Sequence, residues 1–306
     1  LGDVYKRQVV GIVCYDMSGE LLFQLNARGQ GPGEYTDINA FAVNASLHQL
    51  VIYDNMKQSL MFYSTEDGRF VKSEKFNKPT PAEIAYWGGY FFYHNRLHRN
   101  YQDDISLHYY LLASKDGITI GKRYFKHENN KEDYPFSPSG HNLYDNNSKL
   151  YYCRDFDNIV YQIHEDSVVP RFRINLPNPL PASMIEERPN EMSLLRSGYS
   201  LGITDIYEYG GLLFFRFVKD GYIWSCLYNV EESKQVYCAK RIKFLDSSLI
   251  DTIDGIYKDC FYSILTPEYL DYAFSENPLE DYPDLFKTYD VEGDNPVIAF
   301  YRAVVR

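Results

Sequence analysis

Apolar positions along the chain fall in short alternating or continuous runs, separated by Asp-Gly and Ser-Gly turns. That pattern predicts antiparallel hairpins. Val10 to Tyr15 and Glu20 to Leu25 form one around Met17-Ser18-Gly19, and Ser59 to Tyr63 and Arg69 to Phe76 another around Glu66-Asp67-Gly68. Leu107 to Ala113 and Ile118 to Phe125 flank Lys115-Asp116-Gly117, and Leu212 to Val218 and Tyr222 to Tyr228 flank Lys219-Asp220-Gly221. Each turn ends on glycine, which accepts the positive φ that tight hairpin turns need.

The hairpins repeat. LVIYDNMKQSLMFY from Leu50 and LYYCRDFDNIVYQI from Leu150 share one pattern: an apolar strand, a polar break, a second apolar strand. YFFYHN from Tyr90 repeats the first half, and LLFFRF from Leu212 and CFYSIL from Cys260 read as further copies. Spacings of about 40 to 60 residues fit one four-stranded blade per repeat. The expected fold is all-β: a six-bladed β-propeller with an incomplete first blade and short helical insertions. Blades are expected near 9–26 (two outer strands only), 38–76, 82–126, 141–176, 200–243 and 250–306, in one domain over 9–306. A β-sandwich is the rival, but it gives no reason for near-equal repeats. Helical signal is confined to Ala182 to Leu195, broken by Pro189, and to Pro267 to Phe274 and Leu279 to Tyr289.

Composition agrees with sheet. Aromatics make up 17% of the chain, with 30 Tyr and 19 Phe, residues that suit a pleated, half-buried surface. The net charge of −11 repels phosphate backbones, and no Lys/Arg stripe offsets it, so nucleic acid is not an expected partner. No apolar run is long enough to span a bilayer. The 5 cysteines lack a CxxC pair, which removes zinc-ribbon and thioredoxin readings. Most read as small buried hydrophobes, while Cys226 and Cys238 are placed to face each other across a hairpin centred near Glu232. The opening LGDVYKRQ, Leu1 to Gln8, resembles translated adaptor sequence; on that reading it is a non-native leader, and the native N-terminus is not in this chain.

At RGQGPGEY, Arg28 to Tyr35, and again at Asp294-Asn295-Pro296-Val297 with its final strand, the chain resembles the NHL-like six-bladed propeller lipoproteins of gut Gram-negative anaerobes. The resemblance includes the Ile52-Tyr53-Asp54 strand end. It implies a TolB-like or NHL-like propeller, lipid-anchored or periplasmic, touching the membrane only through a lipid anchor that this chain does not carry. It supplies no reaction and no catalytic residue.

Candidate chemistry is sparse. Gly29, Gly31 and Gly33 are followed by no Lys-Ser or Lys-Thr, so a blade-to-blade turn bent at Pro32 explains them better than a phosphate loop. His94 and His98 have a zinc-like spacing, but on a strand running into a loop rather than a helix. Asp290, Glu292 and Asp294 lack the later bidentate Glu of a calcium loop. Asp103-Asp104 and Glu186-Glu187 are adjacent carboxylates with no implied acid/base geometry. No cofactor is expected.

Blade topology gives a sharper argument. Strands A to D run antiparallel outward from the propeller axis, so the B–C loop and the loop from D to the next A share a face. That face collects Asp54 and Asn55, His94 and Asn95, Arg154 and Asp155, and Arg216 at B-strand ends, with Arg28 and Glu34 in a D–A loop. The insertions at 96–105, 127–140, 177–198 and 266–294 fall in the same loop classes. Decorated loops on a rigid scaffold are where binding evolves. The expectation is a monomeric, non-catalytic envelope protein that recognises a protein, peptide or glycan through this face. A glycan-acting hydrolase or lyase, built on His94, Asp54, Asp155 and Arg154, is the alternative.

Overall fold

The computed structural model describes residues 11–16, 18–76, 80–95, 105–127, 137, 140–187, 189–240, 253–276, 286, 288–290 and 296–302. The leader, His98, Asp103-Asp104, Glu292, Asp294, Asn295 and most of 279–289 lie outside the described residues.

β1 (Ile12–Tyr15) and β2 (Leu21–Leu25) pair as an isolated hairpin. Blade 1 is β3 (Ala40–Asn44), β4 (Gln49–Asp54), β5 (Ser59–Ser64) and β6 (Phe70–Lys75). Blade 2 is β7 (Pro81–Trp87), β8 (Tyr90–Asn95), β9 (Tyr109–Ser114) and β10 (Ile120–Lys126). Blade 3 is β11 (Leu143–Asp145), β12 (Leu150–Tyr152), β13 (Ile159–Ile163) and β14 (Val168–Arg173). Blade 4 is β15 (Ser200–Tyr209), β16 (Leu212–Lys219), β17 (Tyr222–Asn229) and β18 (Lys234–Ala239). Blade 5 holds β19 (Gly255–Tyr257), β20 (Cys260–Leu265) and β21 (Val297–Tyr301). Every neighbour is antiparallel and consecutive, the meander of a β-propeller.

The blade count corrects the expected six. Among the described residues there are five blades, because the 12–25 segment forms only two paired strands and no further strand joins them.

The chain divides into two compact units: 1–133 with 164–167, and 134–163 with 168–306. The first holds the hairpin and blades 1 and 2. Period-2 alternation sends β4 to two cores at once. Leu50 and Ile52 join Leu25 and Tyr35, while Val51 and Tyr53 join Ile84, Phe91 and Tyr93 of blade 2. A strand buried on both faces therefore reads as a continuous apolar run, whereas outer β6 is largely exposed. In the second unit, Tyr151 and Val160 of blade 3, Phe215 and Phe217 of blade 4 and Phe261 of blade 5 share one core.

Aspartates close the hairpins. The Asp116 carboxylate accepts N–H bonds from Ile118 and Thr119 and hydroxyl bonds from Thr119 and Ser114. Burial pushes its pKa up, but these four bonds outweigh it, and the carboxyl is held well below the usual range. Asp16 accepts from Ser18 and Glu20 in the same way. At Asp67-Gly68 and Asp116-Gly117 the Asp-Gly signal in the sequence is thus an Asx turn followed by a left-handed glycine.

Buried tyrosines keep their hydroxyls paired. Tyr63 donates to the Gly33 carbonyl, Tyr93 to that of Gly117 and Tyr207 to that of Asp254. This use of a large apolar ring with a polar tip accounts for part of the tyrosine content.

Short helices decorate the loops. α1 (Ala182–Glu186) and α2 (Glu191–Leu195) flank Pro189, with the Asn190 side chain capping α2 by accepting from Ser193 N–H. α3 (Pro267–Glu276) leads out of blade 5 between β20 and β21. No described helix is long and apolar enough to cross a membrane.

Candidate functional site

In the first unit, the B–C end of blade 1 and the D–A loop before it are tied into a single latch. Asp54 ends β4 with no solvent exposure. Its carboxylate accepts from the Thr36 N–H at 2.6 Å, the Thr36 hydroxyl at 2.7 and 2.8 Å, and the Lys57 N–H at 3.0 Å. The Lys57 ammonium donates to the carbonyls of Glu34 (2.6 Å) and Gly31 (3.3 Å). Glu34 accepts from the Gly31 N–H at 2.7 Å, and Arg28 and Tyr35 form a bridge across the loop base. A Cβ on Gly29 would lie 2.0 Å from the Glu34 carboxylate, so a side chain there would push Glu34 off its bond to the Gly31 N–H. Burial raises the Asp54 pKa, but the Thr36 and Lys57 contacts outweigh it and hold the group ionised below its ordinary range.

Glu34→Ala removes one charge-assisted bond at a half-buried site. It is expected to cost about 1–2 kcal/mol, seen as a lower urea midpoint with an unchanged slope.

The other expected residues are placed as follows. His94 and Asn95 are buried at the end of β8, and the Asn95 amide donates to the Tyr109 carbonyl. Asn55 is exposed and accepts from the Thr80 hydroxyl. Arg28 is exposed. In the second unit, Arg154 forms an ion pair with Asp157 at 2.7 Å. Asp155 accepts from Ser137 and Asn142. Arg216 pairs with Asp205 at 2.8 Å. Asp54 and Asp155 thus hold the D–A loops that precede their blades, and Arg154 holds its own B–C turn. Arg216 does not end a B strand as expected: β16 runs on to Lys219, and Arg216 lies in its interior, paired with Asp205 of β15.

The second unit also holds a cleft that the sequence reading does not single out. Alternation along β16 puts Phe215, Phe217 and Lys219 on one face, and the register places Cys226, Trp224 and Tyr222 of β17 directly beside them. The Phe217 and Trp224 rings stack at 6.2 Å with 9° between planes. A cleft of about 440 Å³ opens here, lined by this pair, Lys219, Asn175, Gln235 and the Cys226–Cys238 disulfide that joins paired positions of β17 and β18. Lys219 begins the B–C turn, and Asn175 follows β14 in the D–A segment. The Lys240 ammonium lies 3.5 Å from the Tyr222 ring centre and 5.7 Å from that of Trp224. The Trp224 Nε1–H is shielded from water and meets no acceptor. The available signals were Trp224 as one of only 2 Trp and the F-x-F alternation, and neither distinguishes a cleft from a core.

At the opposite strand ends of the same unit, a cavity of about 330 Å³ is lined by Lys149, Glu208, Gly210 and Lys258. The Glu208 carboxylate is engaged there by Lys149 at 2.7 Å, Arg171 at 3.1 Å and the Tyr151 hydroxyl. Among the described residues, no group of three His, Cys, Asp or Glu side chains is arranged to hold a metal ion.

A model of the family described as Domain of unknown function (DUF4934) matches residues 4–302. Among solved structures, a Bacteroides fragilis protein assigned as exported superposes with a TM-score of 0.75 at 17% identity, over 95% of this chain and 84% of its own. A Bacteroides vulgatus member of the DUF4221 family gives 0.49 at 10% identity, over 96% and 86%. BamB from Moraxella catarrhalis gives 0.40 at 8%, over 83% and 64%. At such identities the first likeness establishes the fold alone. None of the curated proteins compared matches the sequence.

Proposed function

The chain belongs to the DUF4934 family, and from that premise we propose that it is a non-catalytic cell-envelope propeller that binds a protein, peptide or glycan at the B–C and D–A ends of its blades. One observation carries the reading: the aromatic cleft of blade 4 opens between a B–C turn and a D–A segment. Ligand pockets are concave and mostly apolar with a few placed polar groups, which is the composition of this cleft. Arg28 and Asn55 are proposed as ligand contacts in the first unit, with Glu34, Asp54, His94 and Asn95 shaping the loops that carry them. Arg154 and Asp155 shape the loops of the second unit in the same way, and Arg216 braces β15 from within β16.

Three further points support an envelope or secreted setting. The Bacteroides fragilis neighbour is assigned as exported. The Cys226–Cys238 disulfide suits an oxidising compartment. The motifs at Arg28 to Tyr35 and at Pro296-Val297 resemble those of NHL-like lipoproteins, which supports a lipid anchor on the native protein. The protein acts as a monomer in this reading.

Purified protein applied to glycan and peptide arrays is expected to retain a defined ligand class, and mass spectrometry of the eluted ligand is expected to find it unaltered. Retention of nothing, or recovery of a cleaved ligand, would sink the proposal.

A further inference from the structure

We propose that the blade 4 cleft is a subsite for an acidic pyranose, a uronic acid unit of a glycan; the inference rests on the binding reading above and names its ligand. The wall is the stacked Phe217–Trp224 pair. Phe217 is buried and fixes the partly exposed Trp224 ring beside it, so the apolar face offered to a ligand is that of Trp224, with its ordering cost met on folding. A pyranose has two ring faces of C–H groups and an equator of hydroxyls. It therefore pairs with a ring below and with hydrogen-bonding side chains around the edge. The amides of Asn175 and Gln235, each carrying both a donor and an acceptor, stand on that edge and are exposed.

Charge selects the kind of sugar. The described lining includes one charged side chain, the cation Lys219, and a second cation, Lys240, lies over the Tyr222 and Trp224 rings. In a chain of net charge −11, a cleft with lysines and no acidic lining is a local inversion of sign. A carboxylate on the sugar would meet the Lys219 ammonium in a charge-assisted bond. A peptide in β-augmentation would pair with backbone at the β18 edge, whereas the aromatic and lysine side chains of the cleft stand on the face of the sheet.

The test uses galacturonic acid oligomers, their methyl-esterified counterparts and a proline-rich peptide as probes. A Trp87→Phe background leaves Trp224 as the only indole, so its emission reports the cleft directly. The acidic oligomer is expected to shift that emission saturably, and the ester to bind about tenfold more weakly. Lys219→Met is expected to weaken the acid about tenfold and the ester little. Trp224→Ala is expected to abolish retention of both on an affinity column. Because Trp224→Ala disturbs the ring stack, exposed Gln235→Ala provides a second arm, with a several-fold loss expected. The proposal is overturned if acid and ester bind equally, if Lys219→Met and Gln235→Ala bind like the parent, or if only the peptide binds. Array retention that survives all these variants removes this subsite while leaving the binding reading intact; no retention of any probe or array ligand removes the reading itself.

Discussion

Asp54→Ala should lower the stability of the first unit by about 3–5 kcal/mol, the range for breaking a buried, hydrogen-bonded charge network. The carboxylate is fully buried and receives the Thr36 N–H, the Thr36 hydroxyl and the Lys57 N–H. Alanine leaves these donors without an acceptor and releases the loop that Lys57 holds through Gly31 and Glu34. Asp54→Asn keeps the shape but turns an amide N–H₂ towards donors, so an intermediate loss of about 2 kcal/mol is expected. The pH dependence follows from the lowered folded-state pKa of Asp54. A carboxyl depressed on folding contributes fully above its unfolded value, near ~3.9, and loses that contribution as pH falls through the folded value. The stability gap between parent and Asp54→Ala should therefore be flat near neutrality and close in acid. Urea titrations across pH measure it; a gap unchanged in acid would show that the charge is not what holds the latch.

Gly202→Ala is the second large effect. Gly202 lies in β15 at φ +100°, and a Cβ there would meet the Phe156 backbone at 2.7, 2.9 and 3.0 Å. The obstacle is main chain, which cannot rotate away as a side-chain end would. The neighbouring Ile203 N–H donates to the Asp157 carbonyl, so the blade 3 B–C turn and β15 are bonded where they touch. Strain at a left-handed φ costs about 1–3 kcal/mol and overpacking a similar amount, giving roughly 2–6 kcal/mol together. Thermal melts are expected to show Gly202→Ala far below Gly140→Ala, whose Cβ meets nothing within 4 Å. Equal melting temperatures for the two variants would refute the close approach.

These two positions show what was legible and what was not. Asp54 is visible in the sequence as the polar end of a repeated apolar strand, and its blade position follows from the repeat. That its carboxylate anchors Thr36, 18 residues earlier, is not visible, because the pairing depends on where the D–A loop returns. Gly202 carries no local signal: LGITD reads as an ordinary strand start, and the need for glycine comes from another blade's backbone. Trp224 and Phe217 look the same in sequence as the aromatics of any buried strand. The hairpins were legible because their turns are local, with the Asp116 contacts all falling within 3 residues.

By itself, then, the sequence determined the local periodicities. Alternation of period 2, Asp-Gly and Ser-Gly turns and repeating apolar strands leave an antiparallel meander of blades as the way to bury these faces, since each is set by neighbours a few residues apart. The number of blades, the bonding of Asp54 and Asp155 to the D–A loops that precede their blades and the opening of a cleft beside Trp224 were decided only by tertiary structure. Each depends on which segments meet across the chain, and a sequence pattern specifies which face of a strand is apolar without specifying what covers it.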